Sequence, residues 1–382
     1  MLTGHGVPIG RVRGIEIRVH WSWVIIAALL AWSLAESLFG PRQGWSVGTR
    51  WTAAIVTTVL FFASVLGHEL SHSLVAQRAG LRVRSITLFV FGGVSAISDP
   101  MPSARLEFAI AIAGPLASGL FAVVFGLAWL VTRSTGLAPA LGYLALINAA
   151  LGAFNLLPGF PLDGGRVLRS AVWGRTGSVR RATVVAARGG AVIGLGLIAI
   201  GALSIFVVGL VGGIWYALIG FFLLAASRSE EVAELTDELM AGVKVETLMR
   251  APGAPVEAST TLRDFADSPA SMQGRVHLVR RDGGSMVGLL SVTDLANRDP
   301  SHWAETRVDE VMVPVERLVT VTAGSEIREA LRTMAQSGVH QLPVVDHDRI
   351  VGLLTQIDVE EFVRRRLEFA SHASPPAPPA TA

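Results

Sequence analysis

The chain has 382 residues, of which 51% are hydrophobic and only 16% charged, against roughly 25% charged in an ordinary soluble domain. Its formal net charge of +2 divides into +11 over residues 1–229 and −9 over residues 230–382, and the Arg residues of the first part lie between apolar runs without interleaved aromatics, so the basic balance is no argument for a nucleic-acid surface. Cysteine is absent, which excludes disulfides, thiolate nucleophiles and Cys-type zinc fingers, so any metal must be held by His and carboxylates.

Residues 7–20, VPIGRVRGIEIRVH, alternate apolar and polar with Gly breaks, which predicts a β-hairpin. Apolar runs then predict membrane spans over 21–39, 52–79, 105–131, 140–157, 189–208 and 210–227, the last two divided by GLVGG at 209–213. No small-residue cleavage site follows the first run, and further spans come after it, so no cleavable signal peptide is expected. Between the second and third spans, LRVRSITLFVFGGVSAI (81–97) is β-branched and aromatic and reads as strands at the membrane face. With six spans both ends lie on one side. An N-terminus in the cytoplasm puts 14 of 17 Arg residues inside, leaving only Arg42, Arg50 and Arg133 outside, so the positive-inside rule places both termini in the cytoplasm.

Beyond the spans, residues 231–243 read as a linker helix, followed by an internal repeat. Val245-Glu-Thr-Leu-Met249 matches Val308-Asp-Glu-Val-Met312, and Val287-Gly-Leu-Leu-Ser-Val-Thr-Asp-Leu295 matches Val351-Gly-Leu-Leu-Thr-Gln-Ile-Asp-Val359, at offsets of 63 and 64 residues. Each unit is expected to run strand, helix, strand, strand, helix. The Pro/Ala-rich end, SPPAPPATA at 374–382, is expected to be disordered.

The residues that carry chemistry begin with His68-Glu69-Leu70-Ser71-His72, an H-E-x-x-H motif. Residues four apart share one helix face, so both imidazoles can bind one zinc ion, while Glu69, one residue round, can take a proton from water at the metal. The bland alternative is a solvated cluster at a helix end. Against it stands the position at the end of an apolar span, where ionisable groups are costly without a task or partners.

A hydrolytic zinc site needs a third ligand and an open position. Before residue 230 the acids are Glu16, Glu36, Glu69, Asp99, Glu107 and Asp163. Glu36 belongs to the outer side, Glu16 to the hairpin, and Glu107 opens the third span. Asp163 follows the fourth span in Asn155-Leu-Leu-Pro158-Gly-Phe-Pro161-Leu-Asp163-Gly-Gly, at the depth of His68 and His72, where prolines and glycines can turn it back towards a metal. Asp99, in SDP, is its weaker rival.

Together these motifs, from RVHWSW (18–23) through LDGGR (162–166), resemble the site-2 protease family of intramembrane metalloproteases. The resemblance implies that His68, His72 and Asp163 bind zinc, that Glu69 is the general base, and that Asn155 holds the substrate or polarises its carbonyl. Ala113-Gly114-Pro115 in the third span looks like the family too; Ser118 stands where many members carry Asn. By the same analogy the strands after the second span could pair with an unwound substrate segment. The repeats resemble a CBS-domain pair, in which the hydroxyl and acid of G-x-x-[ST]-x-x-D contact an adenosine ribose. That marks Ser291 and Asp294 in the first copy and Thr355 and Asp358 in the second as nucleotide-binding candidates. The first copy departs from the pattern, with Pro269 in its expected helix. A CBS pair that only dimerises or packs is the competing reading.

The expectation is thus an α-helical polytopic membrane protein of about six transmembrane helices with a small β element, followed by a cytoplasmic α/β CBS pair. Its parts would be a transmembrane protease domain (1–228), a linker helix (229–243), CBS repeats (244–300 and 301–368) and a tail (369–382). It would hydrolyse a peptide bond in or near a transmembrane segment of a membrane protein, with one zinc per chain. The expected partners are that substrate, the lipid bilayer, an adenine nucleotide at the repeats and a second copy through the CBS pair, with no nucleic acid. A CBS-gated transporter or channel is the alternative.

Overall fold

Two residues with positive φ close the first hairpin. In the computed structural model, which describes all residues except 1–5, 41–43, 91, 98–100, 208, 273–275, 282, 283, 297, 348 and 373–382, β1 (Val7–Val12) and β2 (Ile15–Val19) pair antiparallel across Arg13 (φ 48°) and Gly14 (φ 84°). Positive φ at both central residues matches the twist of the flanking strands. Residues 81–97 form a second hairpin, β3 (Val83–Phe89) and β4 (Gly92–Ile97). Parallel pairing of β2 with β3, Ile17 opposite Ile86, joins both hairpins in one sheet ordered β1-β2-β3-β4. Ile15, Ile17, Ile86 and Leu88 of this sheet bury against Val65, Ala76 and Ile110 of the helices.

Among the described residues six helices are long and apolar enough to cross a membrane. They are α1 (Trp21–Ser33, extended by a π-helical turn to Leu38), α2 (Val47–Arg78), α3 (Ala104–Val131), α4 (Ala138–Asn155), α6 (Val179–Val207) and α7 (Leu210–Met240). The short α5 (Asp163–Thr176) lies between the fourth and fifth. The starts of α2 and α3 follow from side-chain capping: Ser46 accepts from the Thr49 amide and Ser103 from the Leu106 amide. Two boundaries differ from the sequence reading. α6 begins ten residues before the expected 189, and the expected linker helix is the continuation of α7, which runs unbroken to Met240. Gly209, at φ 101°, separates α6 from α7.

α3 shows why these helices need lipid. Leu116, Leu120, Val123 and Leu127 form an outward stripe, each 58–64% exposed, while the opposite face buries Glu107, Ile110, Ala111, Gly114 and Ser118. Bulk faces out and small or polar residues face in, the reverse of a soluble helix and the pattern of helices that pack within a bilayer. α6 and α7 meet the same way. A Cβ on Gly194 would lie 2.7 Å from the Gly220 carbonyl oxygen, and one on Gly201 2.7 Å from that of Gly213.

Contacts divide the chain into residues 1–234 and residues 235–382. The second unit holds both repeats. The first contains β5 (Val256–Glu257), α8 (Leu262–Asp267), β6 (Val276–Arg280), β7 (Met286–Ser291) and α9 (Val292–Ala296). The second contains α10 (Val308–Val311), β8 (Val313–Pro314), β9 (Val321–Thr322), α11 (Ile327–Ser337), β10 (Gln341–Asp346), β11 (Arg349–Thr355) and α12 (Gln356–His372). α8 stops at Asp267, ahead of Pro269, and is six residues long against eleven for α11. The leading segments are exchanged. β8, from the second repeat, pairs with β7 of the first, placing Val313 opposite Leu289, while Arg250, from the first, bridges Leu353 of β11. α12 continues past residue 368. The Pro/Ala-rich end at 374–382, and Asp99, lie outside the described residues.

Candidate metal centre

α2 carries His68 and His72 one turn apart with Glu69 next to His68, and α5 opens on Asp163 after the turn that ends α4. The helical spacing sets the two imidazoles side by side, with Nε2 atoms 3.3 Å apart. Asp163 Oδ2 comes to 3.1 Å from His68 Nε2 and 3.2 Å from His72 Nε2. The side chains of both His residues are at most 6% exposed, and that of Asp163 13%.

The outer nitrogen of each ring is engaged as well. His72 Nδ1 donates to the Ile110 carbonyl oxygen at 2.6 Å, and His68 Nδ1 hydrogen-bonds Ser118 Oγ at 2.9 Å. A carbonyl only accepts, so the neutral His72 ring carries its proton on Nδ1 and turns a lone pair inward at Nε2. That lone pair faces a carboxylate oxygen, an arrangement a cation resolves. Zinc bonds of about 2.0–2.1 Å in a tetrahedron give ligand–ligand edges of roughly 3.3 Å, matching the observed triangle. The donor set and its outer partners therefore fit zinc. A Cβ on Gly114 would lie 2.6 Å from His68 Nε2 and closer still to His72 Nε2, so α3 leaves the space beside the two nitrogens open because this residue has no side chain.

Glu69 is half-buried on the side of the sheet. Ser95 of β4 donates to Glu69 Oε2 at 3.4 Å, and Ser73 donates to Ser95 Oγ at 3.2 Å. A Cβ on Gly93 would lie 2.8 Å from Glu69 Cδ, so β4 lies directly against the carboxylate.

Of the other acids weighed as ligands, Glu107 pairs with Arg169, Glu16 pairs with Arg18, and Glu36 is exposed. Asn155, at the end of α4, gives its amide to the Leu151 carbonyl at 3.0 Å; among the described residues no hydrogen bond joins it to His68, His72 or Asp163. The partners of the imidazoles were not legible in the sequence. Ser118 had a family position without a role, and a backbone carbonyl such as that of Ile110 leaves no signal in residue type.

In the second unit both hydroxyl–acid pairs form as local turns. Ser291 N–H and Oγ donate to Asp294 Oδ2 at 2.8 and 2.7 Å; Thr355 N–H and Oγ1 donate to Asp358 Oδ2 at 3.0 and 2.6 Å. The two acids differ in their remaining oxygen. Arg250 Nε pairs with Asp358 Oδ1, whereas Val313, opposite Leu289 as Arg250 is opposite Leu353, offers Asp294 no charge.

A model of peptidase family M50 matches residues 56–135 and 131–197, and a model of the CBS domain matches residues 308–365. The chain is 37% identical over 367 residues to Rip3 of Mycobacterium tuberculosis, which carries the name of a zinc metalloprotease, covering 94% of this chain and 92% of that protein. It is 35% identical over 363 residues to sll0528 of Synechocystis, named in the same way, covering 93% and 94%. Among solved structures it is similar to a site-2 protease from Methanocaldococcus jannaschii, at 30% identity and a TM-score of 0.44, over 59% of this chain and 95% of that one. Related along nearly its whole length to proteins of that name, the chain belongs to peptidase family M50, the site-2 proteases, as a multi-pass membrane zinc metalloprotease with a CBS region.

Proposed function

We propose that this protease hydrolyses peptide bonds in or beside the transmembrane segments of other membrane proteins, with His68, His72 and Asp163 as its zinc ligands and Glu69 as its general base. The observation that carries this reading is the convergence of two imidazole Nε2 atoms and one carboxylate oxygen within 3.3 Å, inside a helix bundle with an apolar outer surface. Zinc held there supplies a Lewis acid that lowers the pKa of water and polarises a carbonyl. Glu69 takes the proton released by the attacking water and returns it to the departing amine. Ser95, donating to Oε2, orients the carboxylate for both transfers.

A helical substrate must unwind before its carbonyl can be reached, and an unwound backbone in a membrane needs new hydrogen-bond partners. β4 ends the sheet order and lies against Glu69, so a substrate strand added along it satisfies that backbone next to the base. Asn155 is assigned to holding the substrate by family likeness alone. The Arg distribution supports cytoplasmic termini. The tail, divided into repeats at 244–300 and 301–368, is assigned an adenine nucleotide as its ligand, bound through Ser291, Asp294, Thr355 and Asp358, and a second copy of the chain as its partner.

The test is Glu69→Gln in the full chain, co-expressed with a single-span substrate. Gln keeps the shape and cannot take a proton, so cleavage stops while purified protein keeps one zinc. Cleavage at the wild-type rate removes Glu69 from this role.

A further inference from the structure

Four residues, at positions 107, 110, 114 and 118, share one buried face of α3, and three of them meet the candidate metal centre as described above. The Ile110 carbonyl holds His72, Ser118 holds His68, and Gly114 leaves space beside both. The fourth, Glu107, does not touch the imidazoles. Its side chain is 2% exposed, and Arg169 of α5 brings Nε (2.6 Å) and Nη2 to its Oε1. The other oxygen, Oε2, finds no protein donor among the described residues, so Arg169 is the side chain that compensates its charge, beside the N-terminus of α3.

Arg169 also reaches the turn before Asp163. Its guanidinium carbon lies 5.3 Å above the centroid of the Phe160 ring, and Phe160 is 3% exposed. The Phe160 backbone is tied on both sides of its Cα: its N–H donates to the Ala186 carbonyl of α6 at 3.1 Å, and its carbonyl accepts from Ser227 of α7 at 2.5 Å. Asp163 therefore sits between two anchors, Phe160 and Arg169, that touch each other. Leu162, which precedes α5, provides no side-chain cap, and the Asp163 carboxylate itself meets His68 and His72, so these anchors act on the backbone that carries it.

We propose that Glu107, acting through Arg169 and Phe160, is a positioning residue for the metal-binding carboxylate of Asp163. One face of α3 then sets all three ligands: His72 and His68 by direct hydrogen bonds, and Asp163 through the ion pair. This rests on the assignment of Asp163 as a ligand. Outer partners of metal ligands are worth about 10- to 100-fold in metal affinity. Removing one charge of a buried pair leaves the other uncompensated, which can unfold the protein whatever the pair's role. The informative variant is therefore the double substitution Glu107→Gln/Arg169→Met, which removes both charges at similar volume.

The experiment measures zinc transfer from the full chain in detergent to a chromophoric chelator, with thermal unfolding of the metal-free protein beside it. The double variant is expected to lose zinc about 10- to 100-fold more readily while the metal-free unfolding midpoint holds. Phe160→Leu, which keeps apolar bulk but removes the ring under Arg169, shifts zinc transfer in the same direction by less, and decides the matter if the double variant does not fold. Wild-type zinc retention in these variants overturns the proposal. So does zinc loss matched by an equal loss of stability in the metal-free protein, which assigns the pair to the bundle at large. Asp163→Ala separates the two levels of inference. If it keeps its zinc, the ligand assignment fails; if it loses zinc while the other variants keep theirs, only the positioning role fails.

Discussion

Gly114→Ala adds a single methyl group to α3, aimed at the space beside the two Nε2 atoms. The new carbon would lie 2.6 Å from His68 Nε2 and closer still to His72 Nε2, where ordinary contact begins at 3.4 Å, so the His68 ring or the helix must move by about 0.8 Å and the His72 ring by more. Metal sites tolerate ligand displacements of about 0.2 Å, and overpacking a close-fitted interior carries about 1–3 kcal/mol. The protein escapes that strain by letting the imidazoles turn away, which they can do only without the metal. The strain is thus set against zinc binding, and the expected loss in affinity is about 10- to 100-fold, since about 1.4 kcal/mol is a factor of ten. The assay is equilibrium dialysis of the full chain against zinc buffers, followed by metal analysis. Gly119→Ala is the control, because a Cβ there meets nothing within 4 Å. If Gly114→Ala binds zinc as tightly as Gly119→Ala, the space beside Gly114 is not where the metal sits and the centre has been misread.

Other outcomes follow from single contacts. Ser95→Ala removes the donor to Glu69 Oε2 and should lower kcat by about 3- to 10-fold, the value of one modest hydrogen bond, with zinc content unchanged; a fall in zinc content instead would mean that β4 supports the metal rather than the base. Arg250→Ala frees Asp358 Oδ1 from its internal cation, so the full chain should bind AMP about 10-fold more tightly by calorimetry, and equal affinity in wild type and variant would show that Arg250 does not compete with the nucleotide. Gly194→Leu drives a side chain into the backbone of α7 at Gly220 and should destabilise the α6–α7 pair by more than about 2 kcal/mol, read as a lower unfolding midpoint in detergent; an unchanged midpoint would place the contact elsewhere.

What could be read from the residues alone was what depends on local order. Hydropathy over twenty residues marks a span because the bilayer core has one thickness, and His68 and His72 share a helix face because four residues make about one turn. The hairpin at residues 7–20 with its Gly breaks and the Pro ahead of which α8 stops belong to the same class, whereas the local turns formed by the repeated hydroxyl–acid pairs appeared only in the structure. Asp163 was reachable because so few acids precede residue 230.

Everything that required two distant segments to meet was decided by packing. Nothing in residues 7–19 says that β2 will lie parallel to β3, and nothing near Arg250 or Val313 announces that each leading segment crosses to the other repeat's sheet. Glu107 read as a stray acid at a helix start; the fold buries it against an Arg 62 positions later. The surroundings of the two imidazoles make the same point most sharply, for a serine, a glycine and one backbone carbonyl on α3 orient them and leave room beside them. These groups are common in any helix and acquire their roles only from the few ångströms between α2 and α3, a distance set by side-chain volume across the bundle and not by the order of residues along either chain segment.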